Sequence, residues 1–91
     1  MGMSTPSAET IRTTLRDFIL SNFLFTDDQA ALNDTDSFQD TRIIDSMGMI
    51  QVIQFIEAEY RLKVLDAEMV PEKLDSVERL TRFVLDKQGH A

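Results

Sequence analysis

Six aspartates and one serine carry the first chemical suggestions in this sequence. Between residues 24 and 45, Asp27, Asp28, Asp34, Asp36, Asp40 and Asp45 stand against a single base, Arg42. Carboxylates at that density suggest a divalent-cation loop. Counted from Asp34 as an EF-hand, the first and third positions are Asp34 and Asp36, and the twelfth is Asp45. The fifth and sixth are Phe38 and Gln39, where such a loop needs a ligand and a glycine. The ninth is Arg42, a cation inside the supposed cage, so no metal site is expected. General acid–base pairs fare no better. Glu57 and Glu59 sit two apart on a predicted helix and do not face each other. The lone histidine, His90, lies one residue from the end of the sequence, where it is expected to be frayed and solvated. Without a positioned base, hydrolysis at a serine nucleophile is disfavoured, and no catalytic residue is assigned.

The remaining constellation is Ile43-Ile44-Asp45-Ser46-Met47-Gly48. A serine where a helix begins is most often a cap. Here it ends the longest connection and opens the most apolar helix, and Met47 and Gly48 beside it are unusual surface residues. A phosphate ester on its hydroxyl would face the free N–H groups and the positive dipole end of the helix.

Composition narrows the setting. Ninety-one residues make one domain, with a thin core and little material for a deep enzyme cleft. A hydrophobic share of 43% argues against disorder. A net charge of −7 excludes general nucleic-acid binding, disfavours anionic membranes and points to basic partners. With no cysteine, disulfides, thiolate metal sites and thiol nucleophiles are all excluded. No apolar run reaches the roughly 20 residues of a membrane span. Residues 1–5 resemble no secretory signal and are expected to be a disordered leader or a cloning remnant. Residues 88–91 are expected to be a frayed tail. Gly2 hints at myristoylation, but Pro6 occupies the position that motif gives to Ser or Thr. A cytoplasmic monomer is the default expectation.

The elements that must position Ser46 are helical. Thr5, with Pro6 at the first helical position, or Ser7 can cap a first helix. Ile11, Leu15, Phe18, Ile19 and Asn22 form its inward stripe, and it should fade near Phe23. The connection over 24–45 shows no sustained period and is anchored by Leu32, Phe38, Ile43 and Ile44. A second helix is predicted over 46–60, capped by Asp45 or Ser46, with Ile50, Ile53, Ile56, Glu57 and Tyr60 on one face and Val52 beside it. Met47, Met49 and Phe55 fall partly off that stripe, so the helix is apolar nearly all round. Such a helix is central in a core or keeps a face for a partner. Leu62-Lys63-Val64-Leu65 reads as an extended anchor, and Pro71 opens a brief helix through Leu74. Asp75-Ser76-Val77-Glu78 resembles a capping box opening a last helix with Val77, Leu80, Phe83 and Val84 inside, ended by Gly89. Three substantial helices and one short one predict an all-α bundle.

These residues resemble the acyl carrier protein family, whose mark is an Asp-Ser-Leu-like tripeptide opening the second helix of a small acidic four-helix bundle. Here that tripeptide is Asp45-Ser46-Met47. The resemblance runs from about Thr10 to Leu85. It includes the acidic loop, Phe55-Ile56-Glu57-Ala58-Glu59-Tyr60, and Pro71-Glu72-Lys73-Leu74-Asp75-Ser76-Val77 where the family has its short third helix and the start of its fourth. It implies an acyl-carrier-like four-helix bundle with a long loop between the first two helices. It also implies that Ser46 is the attachment point of 4′-phosphopantetheine, delivered from coenzyme A by a phosphopantetheinyl transferase of the holo-synthase type.

On that resemblance the chain is a carrier and not an enzyme. It would be loaded with an acyl or aminoacyl group by a ligase and visited by downstream acyl-processing enzymes. Asp45 and Met47 would flank the arm, and partners would meet Asp40, Asp45, Met47, Met49, Gln51 and Phe55. Ile50, Val52, Ile53, Val64, Leu80 and Val84 are the candidates for an acyl pocket, with core packing the alternative for each. Residues 46–56 contain no acid, unlike fatty-acid carriers, with Gly48, Gln51 and Gln54 in their place. The Ile43-Ile44-Asp45-Ser46-Met47-Gly48 run, with Pro71-Glu72-Lys73-Leu74-Asp75-Ser76 further on, resembles specialised free-standing carriers, which are loaded by dedicated adenylating ligases or serve secondary metabolism. The competing class is a helical protein–protein adaptor that never uses Ser46.

Overall fold

The computed structural model describes residues 7–89; the predicted Thr5–Pro6 cap, the leader, His90 and Ala91 lie outside them. Within that range the protein is all-helical, with no strand among the described residues. Helix α1 is Ala8–Ile19, α2 is Phe38–Thr41, α3 is Ser46–Tyr60, α4 is Pro71–Leu74 and α5 is Val77–Gly89. None of these is long and apolar enough to cross a membrane.

Helix α1 starts at Ser7, whose Oγ accepts the Thr10 N–H at 3.2 Å. Ile11, Leu15 and Ile19 are fully buried along one stripe, as their spacing predicts. The helix continues as a π turn over Leu20–Leu24 and ends in the left-handed region at Phe25 (φ 54°). The predicted stripe is wrong at its last member. Asn22 is exposed because the wider π turn rotates it outward, and its Nδ2 donates to the Phe18 carbonyl at 2.8 Å.

The connection is more ordered than its sequence suggests. A 3₁₀ turn over Gln29–Ala31 and α2 punctuate it, and Leu32, Phe38 and Ile44 are buried in the core. Arg16, which its register places off the buried stripe, holds this segment. Its guanidinium donates to the Gln29 carbonyl at 2.6 Å, the Leu32 carbonyl at 2.8 Å and Asp34 Oδ1 at 2.7 Å. Arg12 adds a second contact to Asp34 at 3.4 Å. Three backbone carbonyl or carboxylate acceptors on one planar cation explain how a polar loop stays closed.

Helix α3 has the predicted bounds, but its inward face is turned. Gly48, Val52, Ile53 and Ile56 are buried, whereas Ile50 is 55% exposed. A helix apolar on every side gives no phase from which to choose the inner face. Glu57 is half-buried and accepts the Val64 N–H at 2.9 Å, fixing the returning extended segment.

Helix α4 carries Pro71 in its first turn, where the missing N–H is harmless. The predicted capping box of Asp75 and Glu78 does not form. Ser76 is the cap of α5, its Oγ accepting the Arg79 N–H at 3.1 Å. Asp75 is drawn away instead: its carboxylate accepts the Ser37 hydroxyl and the Gln39 N–H, and its carbonyl accepts the Phe38 N–H at 2.9 Å. Helix α2 is thereby tied to the α4–α5 junction. Val77, Leu80 and Val84 of α5 are fully buried, and the helix runs through Gln88 and Gly89, which were expected to fray.

Candidate functional site

The site is built on the start of α3. Asp45 is the residue that caps it: its Oδ1 accepts the Gly48 N–H at 2.7 Å, and its carbonyl accepts the Met49 N–H at 2.8 Å. Ser46 is therefore the first residue inside the helix and is exposed. The N–H groups of Ser46 and Met47 belong to the first turn, which has no intrahelical acceptor. The first turn of α3 contains no acid, so beyond the Asp45 cap nothing on the helix offsets its positive end.

Other serines also stand where helices begin, and the contrast is informative. Ser37 caps α2, accepting the Asp40 N–H, and donates its own hydroxyl to Asp75. Ser76 caps α5 and is 3% exposed. Ser7 caps α1 and pairs with Thr10. In each case the hydroxyl closes a helix. At α3 an aspartate does that work, and the serine hydroxyl is left outside the capping arrangement.

Gly48 explains how this turn sits so close to α1. A Cβ there would come within 2.8 Å of the Phe23 ring and 3.0 Å of Ile44 Cγ2. Phe23 of the π turn can thus lie on the first turn of α3 only because residue 48 has no side chain. Phe18 meets Phe23 edge-on, with centroids 6.1 Å apart, and stacks on Phe55 at 4.0 Å. This aromatic cluster fastens one flank of α3 to the end of α1.

The other flank opens onto a groove of about 560 Å³. Gln39 and Arg42 contribute from α2 and its end; Ile44, Asp45 and Ser46 from the turn; and Met49, Ile50 and Ile53 from α3. Met69, Val70, Pro71, Leu74 and Asp75 form the far wall. Its interior is apolar, and its polar members gather near Ser46 and the ends of α2 and α4. Met47, next to Ser46 in the chain, is 72% exposed, and Met69 of the far wall 46%.

The predicted site residues are thus partly brought together. Ser46, Asp45, Met49, Ile50 and Ile53 share the groove, while Met47, Gln51 and Asp40 are exposed and do not line it. Phe55 is half-buried against Phe18 and offers little to a partner. Of the six residues proposed for an acyl pocket, only Ile50 and Ile53 line the groove. Val52, Val64, Leu80 and Val84 are buried in the core and do not line the groove. The far wall from Met69 to Asp75 and the cation Arg42 escaped the sequence reading. Arg42 carried a signal: it is the sole base of the acidic segment, four residues before Ser46.

Among the described residues no group of three or more metal-ligating side chains converges. No family profile matches the sequence, and no curated protein matches it.

Proposed function

We propose that this protein is a phosphopantetheine-dependent carrier whose attachment point is Ser46, with the fold of an acyl-carrier four-helix bundle in which α1, α3, α4 and α5 are the four helices. The observation that carries the reading is the division of labour at α3: Asp45 caps the helix, and Ser46, exposed at its first position, borders an apolar groove. The residues present suit the group. An anionic ester on Ser46 would meet the uncapped N–H groups of the first turn, and the apolar wall of the groove suits an arm of amide and methylene units.

Loading requires one displacement. Ser46 Oγ attacks the phosphorus bearing the pantetheine half of coenzyme A. The bond from that phosphorus to the adenosine-side phosphate breaks, releasing adenosine 3′,5′-bisphosphate. The hydroxyl proton passes to a base supplied by the transferase. Once attached, the arm would supply the terminal thiol that this cysteine-free chain lacks, for carriage of an acyl or aminoacyl thioester. The chain's own residues do not catalyse. They hold Ser46 outside the cap, keep the first turn rigid through Gly48 and Phe23, and present Met47, Gln51, Asp40 and Asp45 to a basic transferase or ligase.

The competing reading is an adaptor that uses the exposed Met47, Ile50 and Met69 to bind another protein and leaves Ser46 unmodified. Incubation with coenzyme A and a broad-specificity phosphopantetheinyl transferase separates the two. The carrier gains the mass of one phosphopantetheinyl group, and Ser46→Ala gains none. An unmodified wild-type protein, with transferase active on a control carrier, favours the adaptor.

A further inference from the structure

We infer that Arg42 is the residue that binds the phosphodiester of an arm carried on Ser46, laying the arm along the groove between α2, α3 and α4. The inference rests on the carrier reading and deepens it. Arg42 and Ser46 line the same groove. Arg42 is exposed, and among the described residues the ion pairs are Arg12–Asp34, Arg16–Asp34 and Lys87–Glu68, so its guanidinium enters none of them. That independence is notable beside so many carboxylates. The chain surrounds this cation with acids in sequence, yet Arg12 and Arg16 are the bases committed to the loop, and Arg42 is left at the groove.

The lining's other charged side chains are acidic, so an anionic occupant has to be met by Arg42. Asp45 and Asp75 also line the groove, so an anion entering it meets two carboxylates and needs a cation to offset them. Asp45 is engaged with the Gly48 N–H, and Asp75 with Ser37 and Gln39, which spreads their negative charge into local hydrogen bonds. Among the described residues Arg42 is the one base that lines the groove. A guanidinium offers paired N–H donors matched to two phosphate oxygens, which the helix N–H groups alone do not. The backbone supports but does not carry this assignment. Arg42 ends α2 in the left-handed region (φ 60°), as Phe25 and Arg61 end their helices, so the conformation marks a helix end and the groove position marks the function. Because α2 is anchored to Asp75 and to the core through Phe38, the base of the Arg42 side chain is fixed relative to Ser46.

The test compares the protein before and after loading by coenzyme A and a broad-specificity transferase, with loading verified by mass. The ¹⁵N-resolved Arg42 Nε–H resonance is expected to move downfield on loading, while that of Arg16, whose guanidinium is held by Gln29, Leu32 and Asp34 and not by groove residues, stays in place. The ³¹P resonance of the loaded phosphodiester is expected to shift in Arg42→Gln and to return toward the wild-type position in Arg42→Lys. Matching melting curves for the two variants show that the fold is retained. If loading proceeds but the Arg42 resonance stays put and the ³¹P resonances of wild type and Arg42→Gln coincide, the arm swings free and the inference is overturned while the carrier reading stands. If no mass is gained, both fall together.

Discussion

The two flanks of α3 are built to opposite ends. On the inner flank, Val52 and Ile56 are buried with the stripes of α1 and α5, and Phe55 stacks on Phe18. On the outer flank, equally apolar side chains remain in solvent: Met47 and Ile50 are more than half exposed, with Met69 across the groove. Hydrophobicity alone does not distinguish the two flanks. What distinguishes them is what faces them, a complete core on one side and, on the other, a groove walled by two four-residue helices. A small domain with a thin core has strong reason to bury every large apolar side chain it has. Phe25 and Leu65 are exposed elsewhere, but Met47, Ile50 and Met69 are exposed at or next to the groove that Ser46 lines.

Substitutions can break or sharpen that contrast. Ile56→Ala on the inner flank should destabilise the protein by about 2–5 kcal/mol, since it empties a fully buried site. Ile50→Ala on the outer flank should stay within about 0.5 kcal/mol. Urea titration of the pair checks this directly, and equal losses would mean that Ile50 packs as core in solution. Next in size, Arg16→Ala should cost about 1.5–3 kcal/mol, because charge-assisted hydrogen bonds to buried or half-buried acceptors are lost. Hydrogen exchange should rise over residues 26–34 and stay unchanged in the inner flank of α3.

Asp45→Ala should remove about 1 kcal/mol, the usual worth of an N-cap, with the exchange of the Gly48 amide accelerated. The smallest effect lies at Glu68, which precedes the groove wall at Met69. The Leu65 N–H, and after it the Lys87 ammonium, hold the Glu68 carboxyl below its ordinary value of 4.5. A carboxyl lowered by folding contributes stability above its unfolded value and loses it as pH falls through the lowered one. The gap in melting temperature between wild type and Glu68→Gln should therefore be constant near neutrality and close in mildly to strongly acidic solution. A gap independent of pH would show that the ionised carboxylate is not what matters there.

Much of the architecture was legible because local signals agreed. Asp45 followed by a long apolar run gave both ends of α3, and Pro71 gave α4. The stripe of α1 was regular enough to name Ile11, Leu15 and Ile19. The misreadings share a physical cause, which is that tertiary partners decide between local options of similar energy. Asp75 had the spacing of a capping box, but Ser37 and two backbone N–H groups from α2 compete for it. Helix α2 is too short to show a period. Val52 and Val64, pocket candidates on the family resemblance with core packing as the alternative, lie in the core, while the far wall of the groove from Met69 to Asp75 is linked to α3 by no periodicity. The same holds for Arg16, whose partners lie more than twelve residues away along the chain.

The central claim concerns one hydroxyl among several similar ones. The direct measurement is site-resolved mass spectrometry of the protein after exposure to coenzyme A and a broad-specificity transferase. The account predicts a single phosphopantetheinyl group on the peptide containing Ser46, none on Ser37 or Ser76, whose hydroxyls close α2 and α5, and none anywhere in Ser46→Ala. Modification at another serine, or a gain of mass that persists in Ser46→Ala, would contradict it.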